Sequence, residues 1–120
     1  MKLEVGMYVR TKEGYICKIL KLNEPFEDDS YLDHNDIGSA SIQQKNVIKA
    51  SHNIIDLVQI GDYINGYIVE EIREGYKGKE VDNGTRGYDE GGEYIIWKRN
   101  DDIKSIATKE QMEAMQYKVN

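Results

Sequence analysis

The sequence predicts a mainly β chain in two related halves with one short helix near its end, and three observations carry that expectation. The first is an internal repeat. Leu3-Glu4-Val5-Gly6-Met7-Tyr8-Val9 is answered by Val58-Gln59-Ile60-Gly61-Asp62-Tyr63-Ile64, apolar to apolar, Gly to Gly and Tyr to Tyr, at an offset of 58 − 3 = 55 residues. Ile42 against Trp97 and Ile48-Lys49-Ala50 against Ile103-Lys104-Ser105 share that offset, and agreement at both ends favours duplication over chance spelling. The second is a set of short apolar runs separated by Gly-bearing turns, the pattern of hairpins in a small barrel or sandwich. The third is the capping box Thr108-Lys109-Glu110-Gln111 ahead of Met112 and Met115.

Taken in chain order, Met7 to Thr11 and Tyr15 to Leu22 flank Lys12-Glu13-Gly14, a three-residue connection whose glycine can take positive φ. Pro25 lacks an amide donor and ends the second strand. In the later half Tyr63-Ile64 and Tyr67 to Ile72 flank Asn65-Gly66, a two-residue hairpin signal. Gly14-Tyr15-Ile16 then answers Gly66-Tyr67-Ile68 at an offset of 66 − 14 = 52, so the second turn reads three residues tighter. Residues 75–92 hold six of the eleven glycines and read as one long loop leading into the strand Tyr94-Ile95-Ile96-Trp97. A helix near 108–115 is too short to stand alone and must dock, with Met112 and Met115 on one face, and Gln116 to Val119 can add a closing edge strand. Units of this size and strand number point to two tandem SH3-like small barrels related by internal duplication, residues 1–55 and 56–120, packed in tandem.

Composition narrows the function classes. Sixteen basic against twenty-two acidic side chains give a net charge of −6. Residues 56–120 hold nine basic and fourteen acidic groups, 9 − 14 = −5, so that half should repel a phosphate backbone and attract basic partners. Direct nucleic-acid backbone binding is therefore not expected. No apolar run has signal-peptide or membrane-spanning length, which places the expected location in the cytoplasm, and the single cysteine fits a reducing compartment.

No catalytic constellation emerges. Cys17 lies in an alternating strand with neither histidine near it in sequence, and reads as a small apolar filler. His34 sits in an acidic stretch from Glu27 to Asp36, where a calcium loop counted from Asp33 fails at Ile37 and Gln44. A second, counted from Asp82 to Glu93, fails at Gly84 and Arg86. His52 reads as a hydrogen-bonded structural histidine, and Asp and Glu clustered on polar loops carry no reason for shifted pKa values. Neither a dinucleotide fingerprint nor a P-loop is spelled, so no metal and no cofactor is expected. The candidate binding residues are Tyr76, Arg86, Tyr88, Asp89 and Glu90 in the glycine-rich segment, with Trp97 just beyond it, since Tyr, Trp and Arg most often anchor interfaces.

Val5-Gly6-Met7-Tyr8-Val9-Arg10-Thr11, Asn53-Ile54-Ile55-Asp56-Leu57-Val58, Gly61-Asp62-Tyr63-Ile64-Asn65-Gly66 and Ser105-Ile106-Ala107-Thr108-Lys109-Glu110-Gln111 resemble small uncharacterised proteins encoded by phages and prophages of Gram-positive bacteria. The resemblance spans nearly the whole chain apart from its two acidic loops. It implies a phage accessory protein acting in the host cytoplasm and carries over no active-site residue. The expected function is binding without catalysis: inhibition of a host protein, for instance a defence enzyme, by an acidic, tyrosine-bearing surface that occupies a basic one. The alternatives are a protein that sequesters a small molecule or nucleotide between Arg86, Tyr76, Tyr88 and Trp97, and a virion or assembly component.

Overall fold

The computed structural model describes residues 2–22, 31–34, 42–116 and 119. Among these the chain is mainly β, with several small sheets, none closed on itself, and one α-helix. It divides into two compact units, Met1–Leu57 and Val58–Asn120, two residues beyond the expected boundary. Asp56 thereby joins the first unit, and the second carries 9 − 13 = −4.

The first unit is one antiparallel sheet of β1 (Tyr8–Thr11), β2 (Ile16–Leu22), β3 (Tyr31–His34), β4 (Ile42–Gln43) and β5 (Val47–Ser51), in the order β4-β3-β2-β1-β5. The expected three-residue connection forms: Thr11 N–H donates to Tyr15 O at 3.0 Å, and Gly14 holds φ +90° where a Cβ would be strained. Val9, Cys17, Ile19 and Val47 make the core, with Leu3, Met7, Leu22, Ile42 and Ala50 packed against it, so Cys17 is the apolar filler its alternation suggests. β1, between β2 and the edge strand β5, is covered on both faces, with Val9, Arg10 and Thr11 all buried. Its opposite face carries Arg10, fully buried, whose NH1 donates to Leu57 O at 2.9 Å and ties down the 3-10 turn Ile54–Leu57. His52 is half exposed and pairs with Glu4 at 2.9 Å. The acidic stretch around Glu27 with its calcium spacing, Pro25, and most of the tail after Gln116 lie outside the described residues.

The second unit is more divided. β6 (Tyr63–Ile64) pairs with β7 (Tyr67–Ile68) and with β12 (Ile106–Ala107), β8 (Glu71–Gly75) pairs with β9 (Gly78–Asp82), and β10 (Arg86–Asp89) pairs with β11 (Gly92–Ile95). Val81 bridges antiparallel to Lys98. The two-residue turn is as expected, with Asn65 at φ +53° and Gly66 at +87°. The segment 75–92, expected as one long loop, is instead two successive hairpins. Its glycines mark separate turns: Gly75 faces Gly78 around Tyr76-Lys77, and Gly78 and Gly92 each hold positive φ. The helix α1 (Lys109–Met115) starts from the expected capping box, Thr108 accepting from Gln111 N–H and returning its own N–H to Gln111 Oε1. It does not dock through a methionine pair, since Met115 is 79% exposed. Its first turn is tethered by Asp62, fully buried, whose two oxygens accept from Lys109 N–H at 3.0 Å and Gln59 N–H at 2.7 Å.

The two Gly-x-Tyr phrases make matching backbone hydrogen bonds. Gly6 N–H donates to Ile19 O and Ile19 N–H to Met7 O, while Gly61 N–H donates to Val69 O and Val69 N–H to Asp62 O. Both glycines hold left-handed φ, +91° and +97°. Val9 pairs with Cys17 and Ala50 where Ile64 pairs with Tyr67 and Ile106. Cys17, not Tyr15, therefore corresponds to Tyr67, and the second hairpin is shorter by 55 − 50 = 5 residues rather than three. Ala50 answers Ile106 rather than Ser105, an offset of 106 − 50 = 56.

Candidate binding surface

The described interior of the second unit is as polar as it is apolar: Val58, Ile64, Val69 and Val81 are buried beside Asp62, Glu80, Asp82, Asn83 and Thr108. Buried charge is tolerated only when paired and hydrogen-bonded, and each buried carboxylate here has its partners. β8 and β9 place Arg73 directly opposite Glu80. Glu80 Oε1 accepts from Arg73 Nε and Oε2 from Arg99 Nε, both at 3.1 Å. Arg73 lies over the Trp97 ring at 3.7 Å, a cation–π stack that fixes both side chains. The Arg99 hydrogen bond, followed by that of Arg73, outweighs the cost of desolvation and holds the Glu80 carboxyl below its ordinary value.

Asp82 does the same for the base of the next hairpin. Its Oδ1 accepts from Arg86 NH1 at 2.8 Å and from Gly84 N–H at 2.9 Å, with Arg86 NH2 on Oδ2 at 3.4 Å. Burial is the largest influence on Asp82 and pushes its carboxyl up, but the Arg86 and Gly84 hydrogen bonds with the charges of Arg86 and Lys98 prevail, and its pKa is lowered. The carboxylates of Glu70 and Glu93 stand 3.7 Å from Arg86 on its other sides. Buried Asn83 donates to Ile64 O and accepts from Thr85 Oγ1, which in turn accepts from Lys98 Nζ at 2.6 Å. A two-stranded ribbon is marginal alone, and this network anchors β10 and β11 at their base.

Beyond that base the hairpin is open to solvent on both faces. Tyr88, 76% exposed, pairs across with Glu93 on one face. Tyr94 lies across Gly87 on the other, so close that any Cβ at 87 would collide with the phenol ring. Asp89 closes the tip by accepting from Gly91 N–H at 2.8 Å, and Glu90 stands exposed beside it. Tyr76, at the β8–β9 turn, is 98% exposed.

The sequence-predicted residues therefore separate into two groups. Tyr76, Tyr88, Asp89 and Glu90 are presented to solvent at the tips of two hairpins. Arg86 and Trp97 are engaged within the unit, Arg86 by Asp82 and Trp97 by Arg73. Asp82, first residue of the calcium spacing, is taken up by Arg86, and among the described residues no three His, Cys, Asp or Glu side chains come together to hold a metal ion. Clustered acids here do carry shifted pKa values, contrary to expectation, because Glu80 and Asp82 face arginines across strands and not solvent on a loop. Sequence reasoning missed Arg73, Glu80 and Arg99. The alternation Arg73-Glu74 against Lys79-Glu80 becomes a cross-strand signal only once Tyr76-Lys77 is read as a turn. No protein family, curated protein or solved structure matches the chain.

These depressed carboxyls fix the sign of the pH dependence. A folded-state pKa below the unfolded one contributes stability that is present above the unfolded value and lost as pH falls through the folded one. For Glu80 and Asp82 the unfolded values are the ordinary 4.5 and 3.8. The stability that these two carboxylates contribute should be fully present above about pH 5 and lost progressively below about pH 4. Thermal unfolding followed by Trp97 emission across that range checks this, and Glu80→Gln should flatten the acid limb.

Proposed function

We propose that this chain is a non-catalytic binding protein built from two copies of an SH3-like unit, and that its hairpin of residues 86–95 recognises a basic surface on a partner protein. The duplication is supported by the matching hydrogen bonds around Gly6 and Gly61 and by strands that pair in equivalent places. The observation that carries the binding reading is the hairpin itself: an internally braced ribbon that exposes Tyr88 and Tyr94 on opposite faces among Asp89, Glu90 and Glu93. Rigid aromatics give contact area at low entropic cost, and the surrounding carboxylates steer a cationic partner toward them. With the resemblance to phage and prophage proteins, this makes the partner a host protein in the bacterial cytoplasm, occupied and thereby inhibited. A pocket that sequesters a small molecule with Arg86 and Trp97 is less favoured, since both side chains are already engaged within the unit.

The test is capture from infected-host lysate with tagged wild-type chain and with Tyr88→Ala and Glu90→Lys. A partner retained at low salt should be released steeply as salt rises, and Tyr88→Ala should weaken retention about tenfold or more. Retention that ignores both salt and the hairpin substitutions would refute the reading.

A further inference from the structure

We propose that the Arg73–Glu80–Arg99 cluster is a binding site for a phosphate monoester group, gripped by the outer nitrogens of two arginines. Both guanidiniums meet Glu80 through Nε alone. Among the described residues no side chain or carbonyl takes their terminal nitrogens, and the two side chains are 47% and 50% exposed. Arg86 shows the contrast. Its NH1 is held by Asp82 Oδ1 and Thr85 O and its NH2 by Asp82 Oδ2, so it has little left to offer a ligand.

Both guanidiniums are anchored before any ligand arrives. Glu80 is buried and holds each Nε, and Trp97 stacks on the face of Arg73, which lowers the rotamer freedom lost on binding. The three charges sum to 2 − 1 = +1, a cationic point on a unit whose total is −4. Guanidinium forks match oxyanions bidentately. A planar carboxylate satisfies one fork, whereas a tetrahedral phosphate dianion has oxygens enough for both, which selects phosphate. This site shares no residue with the hairpin tip, so either can fail without the other.

Trp97, the chain's only tryptophan, reports on the site through its contact with Arg73. Inorganic phosphate and a nucleoside monophosphate are titrated in parallel at constant ionic strength, with chloride as the compensating anion. A saturable change in Trp97 emission is expected for wild type with both probes. Equal half-saturation means that the phosphate group alone is recognised, and a tighter mononucleotide that the rest of the ligand adds contacts at the same arginines. Arg99→Gln leaves the reporter in place and should bind at least tenfold more weakly, while Tyr88→Ala, at the hairpin, should bind as wild type. If Arg99→Gln does not fold, Arg99→Lys keeps the charge without the fork and should show the same weakening. No saturable response in wild type, or unchanged affinity in the Arg99 variant that folds, overturns the proposal.

Discussion

Arg10→Ala should cost the first unit about 3–5 kcal/mol. The side chain is fully enclosed between β1 and the Ile54–Leu57 turn. Truncation leaves a cavity of several methylenes and strips Leu57 O of its Arg10 donor, so that its desolvation cost is left uncompensated. A unit of 57 residues has little to spare. Arg10→Met restores most of the volume without the hydrogen bond and should cost about 1–3 kcal/mol. Trp97 lies in the other unit, so its emission is not a direct probe of this one. Amide exchange in β1, β2 and β5 is the suitable measurement. Protection in Arg10→Ala within about 1 kcal/mol of wild type would mean that the turn is held by apolar packing alone.

Gly75→Ala is the second large effect, and it separates space from backbone conformation. Gly75 has no unusual φ, yet a Cβ there would run into the Glu80 carboxylate. Overpacking of this kind costs about 1–3 kcal/mol. Here it also pushes Glu80 off Arg73 and Arg99. The expected signature is a shift in Trp97 emission and a flatter acid limb. Gly78→Ala, three residues along, has open space for its Cβ but a φ of +115° that alanine resists. It should destabilise through strain while leaving the emission of the folded state unchanged. If both alanines give the same emission, the Glu80 cluster does not need the gap at Gly75.

Much of the fold is legible in the sequence because its signals are local. Asn65-Gly66 is a strong tight-turn signal, Thr108 through Gln111 spell a cap, and the shared Gly-x-Tyr phrase goes with a repeated hydrogen-bond pattern around its glycine. The misreadings arose where meaning depends on what lies across a strand. Six glycines in 75–92 resemble a flexible loop until Gly75 and Gly78 are seen to flank one turn and Gly87 to underlie Tyr94. Likewise, Tyr76 and Tyr88 were legible as surface residues from their type and setting, but nothing in a linear string says that Arg86 is consumed by Asp82 or that Arg10 points into a sealed face. Long-range polar pairs carry no periodicity, so composition overstates how much positive charge the surface offers.

The Asn65-Gly66 corner bears on the chain's chemical lifetime. Asparagine before glycine is the dipeptide most prone to cyclise, the glycine nitrogen attacking the side-chain carbonyl carbon with loss of ammonia. Here Asn65 Oδ1 accepts from Lys104 N–H and Ser105 N–H while Nδ2 donates to Asp102 O, which immobilises the carboxamide at both ends. Ageing at this position should therefore proceed only during excursions from the native state. Isoaspartate accumulating there would keep a cumulative record of how long each molecule has spent with its β6–β12 junction open.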